Sequence, residues 1–163
     1  MRERLFRLER TGGRRRSVVE AGGAELCTCV YLGPGEGGVD LVAGRGPPAA
    51  TVRGGRMEVR DFLVTLSGGE GIRVLGEPPL LDVLSDRRAR TRVAVAEEAG
   101  GRRSFTWERD GWIAAVLRTV PSAGAEPWVL EVPGWEDPIR GLAVLHAAER
   151  LLRERETPLP DLP

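Results

Sequence analysis

Lysine, asparagine and glutamine are absent from the 163 residues, so all 24 basic side chains are arginine. The missing types are ones that AT-rich codons encode, and a GC-rich genome is the simplest cause. Loss of thermolabile amides in a thermophile is a second. Every cation is therefore a planar, permanently charged fork suited to carboxylates and phosphates. Acidic residues also number 24. That balance argues against disorder through self-repulsion and disfavours a whole-surface nucleic-acid binder. Cysteine is limited to Cys27 and Cys29, and histidine to His146. A disulfide framework has nothing to build on, and a Cys/His zinc site cannot be completed. No apolar run approaches the roughly 20 residues of a membrane-spanning helix. The opening Met1–Arg10 has no continuous apolar stretch of the signal-peptide kind. What is present, 41% hydrophobic residues, suffices for a sizeable core without disulfides, metal or cofactor. The expectation is one soluble, cytoplasmic domain over residues 1–156, with a Pro-rich tail at 157–163.

Residues up to 132 read as short strands between Gly, Pro and charged turns. Apolar or sheet-favouring runs fall at 5–8, 16–20, 26–32, 39–42, 50–53 and 57–66. Others follow at 71–75, 80–84, 91–97, 103–108, 112–118 and 128–132. Met57 and Val59 differ in phase from Phe62, Val64 and Leu66, which predicts a bulge or bend at Arg60–Asp61. Asp110–Gly111 between two apolar runs is a strong hairpin signal. Cys27 and Cys29 would share one strand face and read as small buried residues.

The character changes once. Asp137 followed by Pro138 is a helix start, with Asp as cap and Pro at the first helical position. The helix is expected at about 138–155. From Gly141 to Ala148 it is apolar on every face except at His146, so it must be surrounded, and protein must surround it. From Glu149 it should emerge into water. About twelve strands and one wholly apolar helix imply a closed antiparallel barrel whose lumen the helix fills.

Two segments carry a resemblance. Phe105–Arg118 is similar to the late hairpin of the tubby-like superfamily, which groups tubby C-terminal domains, LURP-one-related proteins and phospholipid scramblases. Trp128–Val132 followed by Glu136–Ala148 is similar to their last strand and central helix. The resemblance implies a non-catalytic module that binds phospholipid headgroups or proteins. Two departures stand out. Tubby domains bind phosphoinositides through basic residues that include lysine, which is missing here. The chain also ends in Thr-Pro-Leu-Pro-Asp-Leu-Pro instead of a scramblase membrane helix.

Arg14, Arg15 and Arg16 form one basic cluster, and Arg87, Arg88 and Arg90 with Arg92 a second; Arg102–Arg103 is a weaker third. Each lies at an expected turn, where guanidinium forks could converge on phosphate oxygens. The plainer reading is a solvated turn paired with acids such as Glu9, Glu20, Asp86 and Glu97. The first two clusters are the candidate headgroup sites, which would make the module membrane-peripheral. The alternative is a structural or protein-interaction domain. Gly33–Gly38 and Gly68–Gly71 lack the Gly-Lys-Ser/Thr ending of a phosphate loop and open no helix. His146 would be sealed from any substrate and is expected to be neutral and bonded to a backbone carbonyl. Glu97–Glu98 and Glu136–Asp137 read as solvated turn carboxylates, so no enzyme is indicated. Of the four tryptophans, all in the late segment, Trp135 is the one expected to be exposed; the others should pack against the helix.

Overall fold

A computed structural model describes residues 3–32, 38–54, 61–86, 90–119 and 128–156. The strands are β1 (Glu3–Gly12), β2 (Arg15–Glu20), β3 (Glu25–Tyr31), β4 (Gly38–Val42), β5 (Ala50–Gly54) and β6 (Asp61–Leu66). They continue as β7 (Gly71–Glu77), β8 (Leu80–Ser85), β9 (Thr91–Glu97), β10 (Arg103–Arg109), β11 (Trp112–Thr119) and β12 (Trp128–Pro133). The helix α1 follows at Pro138–Glu156. Each strand pairs antiparallel with the next, and β1 pairs with β12 to close the barrel. The expected bend at Arg60–Asp61, the run at Met57 and Val59, most of the 33–38 loop and the tail lie outside the described residues.

Alternation of side chains decides what each strand buries. Phe62 and Val64 point inward while Leu63 is exposed, and the same holds for Ile72 and Val74 around Arg73. Cys27 and Cys29 are both buried and unbridged, as a shared strand face requires. The β10–β11 hairpin turns where expected, with φ of 52° at Asp110 and 79° at Gly111, the left-handed pair that a tight two-residue hairpin requires. A register shift next to Trp107 leaves Ala114 as an extra residue on β11. Ala114 through Leu117 are consequently buried in succession.

The helix is enclosed by the wall. Leu142 to Glu149 are all buried, and α1 packs on β5, β6, β7, β10, β11 and β12. Asp137 caps it: its Oδ1 accepts the Ile139 N–H at 2.9 Å, and its carbonyl accepts that of Gly141 at 3.0 Å. One expectation fails here. The helix does not emerge at Glu149, because Glu149, Leu151 and Leu152 remain buried. Gly141 marks the tightest approach of helix to wall: a Cβ there would stand 3.0 Å from Ala115 Cβ.

Antiparallel order sends alternate connections to opposite ends. The front rim carries the turns before β3, β5, β7, β9 and β11, and the segment leading into α1. The rear mouth carries the Gly13–Arg14 turn, the end of β3 at Tyr31 and the C-terminal half of α1.

Two substitutions test this packing. Leu145→Ala should destabilise by about 2–5 kcal/mol in urea unfolding, the range for a cavity in a core with no room to collapse. Gly141→Ala should also destabilise. Its gain of about 1 kcal/mol in helix propensity is outweighed by overpacking against the rigid Ala115, which costs about 1–3 kcal/mol.

Candidate functional site

Two polar clusters hold the helix, one at each end of the barrel. At the front rim, Arg109 of β10 lies on the same strand face as Phe105 and Trp107 and is buried with them. Its guanidinium forms a close ion pair with Glu136, which is also buried. Arg140 of α1 reaches Glu70 at 3.2 Å and Glu136 at 3.9 Å. Ser85 Oγ donates to Glu70 Oε2 at 3.0 Å, and Trp107 Nε1 donates to Thr91 Oγ1 at 2.9 Å. Between Glu70, Ser85, Thr91, Trp107, Arg109 and Arg140 is a cavity of about 20 Å³, the room of a single water. The reading of Glu136 as a solvated turn carboxylate is thus overturned. Its charge is matched inside the protein by an arginine that strand alternation turns inward.

At the rear mouth, Tyr31 O–H meets His146 Nε2 at 3.1 Å, and His146 Nδ1 lies 3.6 Å from Glu149. Arg153 closes on Glu149 from the next helical turn. His146 is buried as expected, but its partners are side chains of β3 and of its own helix in place of a backbone carbonyl. Burial works against ionisation of Glu149, yet the adjacent imidazole and the Arg153 guanidinium outweigh it and hold the carboxyl below its ordinary range. The Tyr31 phenol is pushed up by burial. The Cys29 thiol is pushed up by its hydrogen bond with Cys27 and by burial, so it does not offer a thiolate.

The arginine clusters separate. Arg14 in the turn and Arg15–Arg16 at the start of β2 lie at the rear mouth, whereas Arg90 belongs to the front half of the molecule, beside β9. Arg87 and Arg88 lie outside the described residues. Arg90 is held by Asp82 through two contacts of 3.0 and 2.8 Å, so its fork is already occupied. Other described arginines are likewise engaged: Arg4 with Glu20, Arg7 with Glu9, Arg53 with Asp40, Arg103 with Glu97 and Arg118 with Glu131. Asp86 instead accepts the Gly71 N–H at 3.2 Å.

Arg16 and Arg150 differ. Their guanidinium carbons stand 5.3 and 5.7 Å from the centre of the Tyr31 ring. Among the described residues neither has a carboxylate within 4 Å, and Arg150 Nε is buried without a hydrogen-bond partner. Arg14 is exposed beside them, its carbonyl accepting the Tyr31 N–H at 2.8 Å. Sequence reasoning missed Arg150, which sits on the helix 134 positions from Arg16. The available signal was strand parity: Arg16 shares a face with the buried Val18, and Tyr31 with Cys27 and Cys29.

Trp107 and Trp128 are buried, and Trp128 faces His146 at 6.1 Å between ring centres. Trp135 is 43% exposed as expected, but Trp112 is more so at 70%, which corrects the view that it packs on the helix. Among the described residues no group of three metal-ligating side chains gathers, and no helix is long and apolar enough to cross a membrane. Comparisons with protein-family models, curated proteins and solved structures return no match.

The Glu149 linkage has a defined sign. Its carboxyl is depressed in the folded state, so its contribution is fully present above the ordinary carboxylate range and is lost as pH falls through the lowered value. Urea midpoints measured from neutral pH into acid should therefore drop more steeply for the wild type than for Glu149→Gln.

Proposed function

We propose that this chain is a non-catalytic binding module of the tubby-like kind. It takes an anionic phospholipid headgroup or a phosphorylated ligand at the rear mouth, and it works as a cytoplasmic, membrane-peripheral protein. The observation that carries this reading is the pair Arg16 and Arg150. Both are fixed on Tyr31, and among the described residues both lack the carboxylate partner that most described arginines have. A guanidinium held in place and left without a counter-charge loses little entropy on meeting a phosphate, and its fork geometry suits two of the phosphate oxygens. Arg14 and Arg15, exposed at the adjoining turn, add positive field to the same mouth. Arg90 contributes less to the proposal because Asp82 occupies it.

The test is co-sedimentation with neutral and anionic vesicles at low and physiological salt. The expected outcome is binding to anionic vesicles alone, weakened about fivefold for each of Arg14, Arg16 and Arg150 changed to Ala, since one such charge near an anionic surface contributes about 1 kcal/mol. Arg90→Ala should change it less. A soluble ligand is checked by thermal melting with inorganic phosphate. A stabilisation lost in Arg16→Ala with Arg150→Ala, without sedimentation on vesicles, assigns the mouth to a soluble phosphate compound. Neither response at low salt overturns the reading.

A further inference from the structure

The front rim has a different surface. Trp112 is 70% exposed, the adjoining Ile113 53% and Trp135 43%, and these belong to a chain with only eight aromatic residues. The fold brings them together. Trp112 pairs across the hairpin with Arg109, Arg109 binds Glu136, and Glu136 is the neighbour of Trp135. In the β11–β12 register Val116 faces Glu131, so the chain leading to Trp135 leaves the wall beside Ile113 and Trp112.

Three acidic residues surround this patch. Glu108, Asp110 and Asp137 are exposed, and none has a cation within 4 Å among the described residues. Arg92 lies opposite Glu108 across β9 and β10, but it also acts on Asp82 and so is shared. Arg109, the cross-strand partner of Trp112, is buried and neutralised by Glu136. Exposed indole faces beside unmatched carboxylates suit a partner that brings cations. The rings attract a guanidinium or ammonium over their faces, and the carboxylates complete its hydrogen bonds. Tryptophan at the centre of such a patch, rimmed by charge, is also the usual make-up of an interface hot spot. An anionic membrane is disfavoured here, since the three carboxylates would be repelled by its surface.

We infer that the front rim is a docking surface for a basic protein segment, whose arginine or lysine side chains lie over Trp112 and Trp135 and against Glu108, Asp110 and Asp137. This rim is at the opposite end of the barrel from the rear mouth, and the inference does not depend on what the mouth binds.

The experiment uses the full chain and two synthetic octapeptides, one alternating Arg and Gly, the other alternating Glu and Gly. Binding is followed by NMR of the indole N–H signals, assigned by single Trp→Phe changes. The basic peptide should shift the Trp112 and Trp135 signals and leave the buried Trp107 and Trp128 unmoved, with affinity falling as salt rises. Trp112→Ala, and separately the triple change Glu108→Gln, Asp110→Asn and Asp137→Asn, should each weaken binding by fivefold or more. The triple change is chosen to preserve folding, because Asn tolerates the positive φ at 110 and still caps the helix at 137. No shift with the basic peptide at low salt overturns the inference, as does an equal response to the acidic peptide. Two other results also overturn it. Anionic vesicles perturbing the two indoles would assign the rim to membrane. Concentration-dependent self-association abolished by Trp112→Ala would assign it to a second copy of the chain.

Discussion

A closed twelve-stranded barrel has to fill its lumen, and in this chain one helix fills it. Wall side chains alone do not close a lumen of that circumference, whereas a helix with its side chains is about 10–12 Å across and matches such a space. That demand explains why Gly141 to Ala148 carries no amphipathic stripe: every face of the segment meets a strand. It also explains the small residues. Gly141, Ala143, Ala147 and Ala148 let the helix lie close to the wall, as the 3.0 Å spacing at Ala115 shows, while Leu142 and Leu145 fill the wider gaps. The helix is therefore the centre of the hydrophobic core and the reason the sheet can close.

An apolar rod in an apolar tube has no fixed depth or rotation, and the polar clusters supply both. Arg109, Glu136, Arg140 and Glu70 tie the first turn to the wall, and Tyr31, His146, Glu149 and Arg153 tie a later one. Buried ion pairs of this kind add little net stability, because desolvation offsets much of their attraction. Their value is positional: a helix shifted by one residue would draw Arg140 away from the buried Glu70 and leave that carboxylate unmatched at the front rim. The cavity of about 20 Å³ beside Glu70 and Arg140 fits this view, since both groups keep an atom without a protein hydrogen bond there and a water could serve them.

Much of this architecture is legible in the residues themselves. Asp110–Gly111 specifies its hairpin through backbone conformations that few other dipeptides accept, and Asp137–Pro138 specifies the helix start through cap geometry. Both are local signals. The apolar helix within a strand-rich chain then leaves the filled barrel as the natural arrangement. What escaped the sequence is non-local. Glu136 reads as a solvated turn acid until the fold places Arg109, 27 residues earlier, against it. Glu149 reads as the point where the helix reaches water, but Arg153 and His146 let the buried segment run a further turn. The basic cluster at 14–16 was visible as charge, but its convergence with Arg150 depends on how the helix is rotated in the lumen, which no local pattern encodes. Strand parity narrows the gap: a charged residue in phase with buried neighbours, as Arg109 is with Trp107, is one that the fold must pair or use.

Closure also limits where such a protein can meet anything else. A barrel without edges offers no strand for a peptide to extend, so the β-augmentation open to many sheets is unavailable. On the outer wall, arginines are largely bound to acids of nearby strands, as Arg53 is to Asp40, Arg73 to Asp61, Arg90 to Asp82 and Arg118 to Glu131. Such exposed pairs hold little energy but leave a surface with little net field. Among the described residues, uncompensated charge and exposed aromatic area form a patch at each end, basic around Tyr31 and acidic around Trp112 and Trp135. The two patches are of opposite character because the helix is clamped differently at its start and its finish. The start buries Arg109 and leaves carboxylates outside; the finish buries Glu149 and, among the described residues, leaves Arg16 and Arg150 without acids. The chemistry that each end presents to a partner is thus a by-product of how the helix is held.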